Sequence, residues 1–260
     1  MNNKLKYFIY SQNSINTYKS CPTKFKYKYI DKINWKYDDI ESREYYDSLK
    51  VGSEFHLLCE RYFNNIPLGI NENTNPKFKK WIDKIKKLLP MNNSDDKIYL
   101  PEYEVRLNLY GNIITAKYDL IIIDKDNIEI WDWKTENVKL EYKNVKDRIQ
   151  TIVYMLLAKE VVCKIFNLNI STNNIKMKYY QPQYDDMPIE IVYNQEKHEL
   201  NKSNIVRYID MIKNTNYEEN DKYKYQLTRN DRHCKFCEFN KLCNRQDVDY
   251  SIFEEDVYEC

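Results

Sequence analysis

The sequence predicts an α/β fold, a single domain with helices packed against a central mixed β-sheet, on three observations. Residues 113–123 (IITAKYDLIII) and 128–134 (IEIWDWK) are β-branched, apolar runs, and Asp124-Lys125-Asp126-Asn127 between them supplies turn chemistry. Stretches with apolar residues every three to four positions stand on either side, as at Val51, Phe55, Leu58 and Tyr62. Helices, then a strand group, then a helix and further strands is the order of one sheet covered by helices.

In chain order the periodicity predicts helices over about 11–33 (broken near Pro22), 41–64 and 76–89. Strands follow at about 97–109, 112–123 and 127–134, an amphipathic helix at 142–161, strands at 174–181 and 188–193, and a helix at 195–213. Asn- and Pro-rich residues 64–76 form the clearest loop, 90–96 another, and Tyr184-Asp185-Asp186-Met187-Pro188 a turn. A chain of 260 residues with 42% hydrophobic content can bury one sizeable core, so 1–260 is taken as one domain with its core at about 41–213.

Composition excludes some functions. No apolar run reaches membrane-spanning length and no signal peptide is evident, so the expected setting is cytoplasmic. The formal net charge of +1 gives no global attraction to polyanions, and any nucleic-acid affinity must come from local clustering. Residues 19–36 interleave lysine with Phe25, Tyr27, Tyr29 and Trp35. That pattern suits phosphate contact with base stacking on single strands, or equally a helix with an aromatic core side and a solvated lysine side.

The chemistry-bearing residues begin with Asp119 and the triplet Asp132-Trp133-Lys134. A short hairpin sets the two aspartates side by side at one end of the sheet, a hard oxygen-rich pair suited to Mg²⁺ or Mn²⁺. Strand periodicity turns Lys134 to the face of Asp132, and a cation beside an ammonium is what phosphodiester hydrolysis needs. His56 shares a helix face with Glu60. Gln150 and Tyr154, at i and i+4 on the helix after the hairpin, can bring two polar tips to the same place.

Seven cysteines form the last signal. Cys234-x₂-Cys237-x₅-Cys243 clusters three thiols near the C-terminus, whereas Cys59, Cys163 and Cys260 show no ligand spacing. An odd count without a leader argues for a metal centre rather than disulfides. Zinc and an iron–sulfur cluster both suit thiolates, and the fourth ligand is Cys21, His233 or Cys260 on chemistry alone.

In order, Cys21-Pro22, Gly52-x₃-His56, Asp119, Asp132-x-Lys134, Gln150-x₃-Tyr154 and Cys234-x₂-Cys237-x₅-Cys243 resemble the RecB-type iron–sulfur branch of the PD-(D/E)XK nucleases. That branch includes AddB-type exonuclease domains, the CRISPR spacer-acquisition nuclease and phage exonucleases. Ala116-Lys117-Tyr118 stands where the family often has glycine, and Asp132 matches the helicase-fused branch rather than the glutamate common in the CRISPR nuclease. The resemblance implies a restriction-endonuclease-like core and hydrolysis of DNA, with an exonuclease acting on single strands or ends expected. It implies Mg²⁺ or Mn²⁺ held by His56, Asp119, Asp132 and the Trp133 carbonyl, with Lys134 acting on water or developing charge and Gln150 and Tyr154 positioning the strand. It also selects Cys21 with Cys234, Cys237 and Cys243 for a [4Fe-4S] cluster joining segments 11–35 and 228–246, with a separate helicase or CRISPR-integration chain as partner. A catalytically silent DNA-binding subunit and a zinc-stabilised nucleic-acid-binding module are the alternative expectations.

Overall fold

The computed structural model describes residues 5–34, 40–91, 96–184, 187–217, 234 and 237–243, with the side chains of 40–48 outside the description. Trp35, His233 and Cys260 lie outside the described residues. The chain divides into two compact units, Tyr45–Leu107 with Thr115–Ser203, and Met1–Glu44 with Asn108–Ile114 and Asn204–Cys260.

In the first unit the strands are β2 (Ile98–Leu109), β3 (Asn112–Asp124), β4 (Asn127–Trp133), β5 (Ile175–Tyr180) and β6 (Ile189–Val192), β1 (Ile9–Ser11) belonging to the other. The sheet order is β3-β4-β5-β6, with β2 also paired to β3. The sheet is mixed, because β3–β4 and β5–β6 are antiparallel and β4–β5 is parallel. The parallel step follows from topology, since a helical crossover separates β4 from β5 whereas a short turn joins β3 to β4. The β2–β3 turn has positive φ at both Tyr110 (51°) and Gly111 (80°), the twist a two-residue hairpin loop requires and glycine adopts without strain.

Two helices cover one face of this sheet. In α3 (Ile40–Phe63) the buried Phe55, Leu58, Cys59 and Phe63 join Phe78, Trp81, Ile82 and Ile85 of α4 (Pro76–Leu88) over Leu120, Ile122, Trp131 and Trp133. Asn75 caps α4 by accepting from the Lys77 amide, and Pro76 occupies the first helical position, where no donor is needed.

The helix expected at 142–161 is broken. It consists of α5 (Tyr142–Val145), α6 (Ile149–Leu157), a π-helical turn at Ala158–Val162 and α7 (Cys163–Ile165). The physical reason lies in side chains that satisfy α5's free carbonyls: Thr151 donates to Val145 O at 2.6 Å and Arg148 to Asn144 O at 3.2 Å. Helix α6 is not amphipathic as expected, because every residue except Gln150 is buried. The break restarts the helix at Ile149 and puts Gln150 in its first turn. Helix α8 (Gln195–Asn214) follows β6. No described helix is long and apolar enough to cross a membrane.

The second unit contains α1 (Gln12–Ser20), α2 (Pro22–Phe25) and a π-helical turn at Lys26–Ile30. Ser11 and Ser14 form a capping box at the start of α1. Phe25 is fully buried and packs with Phe8, Tyr18 and Tyr217, while Tyr27 meets Phe239 edge-on at 5.4 Å. Lys24 pairs with Glu238 at 2.9 Å and Lys26 with Asp31 at 3.0 Å. The basic–aromatic stretch is therefore packing and ion pairing in this unit, and its described aromatics are not a base-stacking row.

Candidate active site

The β3–β4 register pairs Leu120 with Trp131, which sets Asp119 opposite Asp132 one step further along the same end of the sheet. The Asp119 carboxylate accepts the Trp133 amide at 2.7 Å, tying the ends of the two strands together. Across the sheet Asp132 stands beside Tyr179, and the Lys134 amide donates to Tyr180 O at 2.9 Å, so the residues after β4 stay fixed to β5.

His56 arrives from α3. Its Nδ1 lies 3.3 Å from Asp119 Oδ1 and its Nε2 lies 2.9 Å from the Trp133 carbonyl. The partner is Asp119 across the fold, not Glu60 on the same helix. Gly52, one turn before His56, permits this approach: a Cβ there would sit 3.1 Å from Thr135 Oγ1, just past Lys134. The glycine of Gly52-x₃-His56 thus serves helix-to-strand contact.

Asp132 is 1% exposed and held on both sides. The Lys134 ammonium stands 2.8 Å from its Oδ2, and the Gln150 amide donates to its Oδ1 while Gln150 Oε1 accepts from Lys134 at 3.1 Å. Burial pushes the Asp132 carboxyl up to about 6 despite the Lys134 charge. For Lys134, burial pulls the ammonium down, but Asp132, Asp119 and Glu136 outweigh it and hold it above its ordinary value. A lysine raised in this way holds its proton.

Tyr154 is buried, and its hydroxyl donates to the Lys117 carbonyl at 2.5 Å while Tyr118 donates to Tyr154 O at 2.9 Å. The hydroxyl expected to touch the strand is engaged with the Lys117 carbonyl, on a residue only 4% exposed. Its place is behind Gln150, bracing the backbone two residues before Asp119.

Glu102 completes the site, and sequence reasoning missed it. One ligand atom each from His56, Glu102 and Asp119 all lie within 4.8 Å of one another. Opposite ligands of an octahedral Mg²⁺ stand about 4.2 Å apart, so these three donors are close enough together to be candidates for holding one hard cation. Asp132 is not among these three. Glu102 follows Pro101 inside β2 with φ at +50°, and pairs with Lys117 at 2.6 Å. A left-handed glutamate inside a strand is the kind of outlier that clusters at functional sites, and only Pro101 hinted at it in the sequence.

Beyond Lys134 the loop is strapped to the end of β5. Buried Gln181 accepts from Leu140 N at 2.7 Å and donates to Val138 O at 2.9 Å, and Gln183 donates to Glu136 O at 2.8 Å.

His56 makes the site pH-dependent. Burial lowers its imidazolium, but Asp119's charge and hydrogen bond, with Asp132 behind, raise it from 6.5 to about 9. A folded value above the unfolded one means the pair stabilises fully below pH 6.5 and loses its contribution as pH rises through about 9. In metal-free protein His56→Ala is therefore expected to lower Tm at pH 6 and barely at pH 10. Equal losses at both pH values would refute the charged pair.

The four cysteines occupy the other unit. Cys21 caps α2, its Sγ accepting from Lys24 N at 3.5 Å. Cys237 N donates to Cys234 O at 3.2 Å, Asn240 Nδ2 to Cys234 O at 2.9 Å, and Cys243 N to Phe239 O at 3.1 Å, forming a tight knuckle. The Lys24–Glu238 pair joins Cys21's helix to this knuckle. Burial pushes the Cys237 thiol up to about 12, with Cys21 among the groups acting on it. The described cysteines form no disulfide, and Cys59 and Cys163 are buried in packing.

Paired carboxylates, a histidine and a lysine at one end of a mixed sheet define the class to which the comparisons point. The PD-(D/E)XK nuclease superfamily model matches residues 9–244, and the chain belongs to that superfamily. Among curated proteins no sequence matches. The crystal structure of a "putative exonuclease" from Eubacterium rectale shares the fold over 97% of this chain and 95% of its own, at 13% identity and a TM-score of 0.51. The crystal structure of SSO0001 aligns over 90% of this chain and 84% of its own at 12% identity, with a TM-score of 0.36, too low to carry a shared topology.

Proposed function

We propose that the protein is a divalent-metal-dependent deoxyribonuclease that hydrolyses phosphodiester bonds, acting as an exonuclease on single strands or DNA ends. The convergence of His56, Asp119, Asp132 and Lys134 at one end of β3 and β4 carries this reading. His56, Asp119, Glu102, the Trp133 carbonyl and Asp132 are the groups that would hold Mg²⁺ or Mn²⁺. When bound, that ion supplies Lewis acidity to water and to the phosphoryl oxygens. The Lys134 amide, donating to Tyr180 O, fixes the peptide plane that carries the Trp133 carbonyl. Lys134 holds its proton and stabilises charge developing on phosphorus oxygens, and Gln150 keeps Lys134 and Asp132 in register. Tyr154 acts through Gln150 and the Lys117 carbonyl as a positioning residue. The test is incubation with end-labelled single- and double-stranded DNA plus Mn²⁺, with chelator in parallel. Metal-dependent release of labelled mononucleotides is expected; binding without cleavage would make the chain a silent subunit.

Cys21, Cys234, Cys237 and Cys243 would hold a [4Fe-4S] cluster whose role is structural, fastening the C-terminal knuckle to the helix that follows Cys21. Two half-buried segments already linked by the Lys24–Glu238 pair and the Tyr27–Phe239 contact support that reading. Protein purified without oxygen is expected to be brown, with a broad absorbance shoulder near the violet, and to melt earlier once the cluster is oxidised away. Colourless protein carrying zinc would overturn the iron–sulfur assignment. Partners consistent with this function are DNA and a separate helicase or CRISPR-integration chain that presents ends, and co-elution with such a chain tests the latter.

A further inference from the structure

A second surface in the unit that holds the active site is built for a polyanion. Helix α4 carries six lysines (Lys77, Lys79, Lys80, Lys84, Lys86, Lys87) and one acid, Asp83, in a chain whose net charge is only +1. At about 100° per residue, Lys77, Lys80, Lys84 and Lys87 fall within about 80° of arc and extend about 15 Å along the axis. Phe78, Trp81, Ile82 and Ile85 are buried on the other side of the helix. Elsewhere in this unit many lysines are matched by acids, as in Lys97–Asp124, Lys117–Glu102, Lys164–Glu160, Lys176–Glu190 and Lys178–Glu129. Among the described residues Lys77, Lys79, Lys80 and Lys87 form no ion pair, and Lys86 lies over the Tyr62 ring at 6.0 Å. Lys77, Lys80 and Lys87 are exposed and Lys84 on the same arc is half-buried, and like charges set along one helix face repel one another unless an anion sits on them.

The row is rigid and close to the candidate site. Phe78 and Trp81 pack on Phe55 with centroids 6.1 and 5.2 Å apart, and Phe55 immediately precedes His56. The Tyr62 hydroxyl donates to Leu89 O at 2.9 Å and accepts from Met91 N at 3.0 Å, pinning the C-terminal end of α4 to α3. Adjacent helix axes lie about 8–10 Å apart, so the lysine row stands one helix beyond the histidine. We propose that Lys77, Lys80, Lys84 and Lys87 form a rail that binds the sugar–phosphate backbone of the DNA whose end occupies the active site. This rests on the nuclease reading and adds the surface that holds the substrate several nucleotides from the scissile bond. A lysine row reads phosphate and no base edge, so the contact is sequence-independent.

The test compares the parent with the Lys77→Gln/Lys80→Gln/Lys84→Gln/Lys87→Gln variant. A control of equal charge change is Lys143→Gln/Lys146→Gln/Lys164→Gln/Lys176→Gln, whose lysines sit in ion pairs. Fluorescence anisotropy with labelled DNA, Ca²⁺ replacing Mn²⁺, gives log K against log salt from 50 to 200 mM, a range over which phosphate contacts dominate. The rail variant is expected to flatten the slope by about 3 to 4 on duplex and about 3 on single strands, while the control keeps the parent slope. Mn²⁺-dependent hydrolysis of bis(p-nitrophenyl) phosphate, too small to reach α4, is expected to be unchanged. A rail variant with the parent slope, or two variants flattened alike, would overturn the rail. Loss of binding to phosphatidylserine vesicles with DNA binding intact would also overturn it, assigning the row to a membrane. A parent that neither binds DNA nor hydrolyses the small ester would instead sink the nuclease reading.

Discussion

Replacing Lys134 by alanine is expected to lower cleavage by about 10²–10³-fold in kcat, the loss seen when a pre-positioned charge-stabilising donor is removed. The same change should destabilise metal-free protein. Asp132 is almost fully buried and Lys134 is its charge partner at 2.8 Å. Breaking such a pair strands a buried carboxylate and costs about 3–5 kcal/mol, and the low end is expected because the Lys134 side chain keeps 18% exposure. The double change Lys134→Met with Asp132→Asn removes both charges, and it should recover most of the stability while staying inactive. Urea unfolding of parent, single and double variants in chelator decides this. A single variant as stable as the parent would show that Lys134 does not neutralise Asp132, and the charge-stabilising role would fall with it.

The second large effect concerns Asp119→Asn. In the parent, Mn²⁺ at about 100 times its Kd should add about 2.7 kcal/mol to the unfolding free energy, since the unfolded chain cannot gather the ligands. Asparagine still offers an oxygen to the Trp133 amide, so the strand ends stay joined and the variant should fold. It removes the charge that faces His56 and a cation, so both the Mn²⁺-induced stabilisation and the cleavage should disappear. Thermal melts with and without Mn²⁺, beside the nuclease assay, measure the two together. Mn²⁺ stabilisation that survives in Asp119→Asn would place the cation elsewhere. Glu102→Gln is the companion, expected to weaken the Mn²⁺ shift without abolishing the fold.

Much of this was legible from local pattern. The β3–β4 hairpin was readable because Ile-rich runs flank a four-residue turn, and its register followed from turn length. The spacing of Asp132 and Lys134 put both on one face for the same reason. The helix at 142–161 misled because its hydrophobicity is uniform. What breaks it, Thr151 and Arg148 reaching back to α5's carbonyls, is a side-chain arrangement that periodicity does not encode. The stretch from Lys19 to Lys36 left two readings open, a base-stacking row or a helix with an aromatic core side. A sequence shows lysines and aromatics but not that Glu238, about two hundred residues away, neutralises Lys24 or that Phe25 is fully buried. Among the described residues, Lys77, Lys79, Lys80 and Lys87 of α4, less conspicuous in sequence, form no ion pair.

By itself the sequence determined the order of helices and strands, the two aspartates with their lysine, and the cysteine spacing, because each depends on residues a few positions apart. Only the tertiary structure decided that His56 meets Asp119 and not Glu60, that Glu102 joins them, and that Tyr154 is buried behind Gln150. It also decided that Cys21 lies with the C-terminal knuckle. Those outcomes depend on which surfaces bury against which, and on the charges that burial then sets side by side. Such terms couple residues across the whole chain, and no local window of sequence contains them.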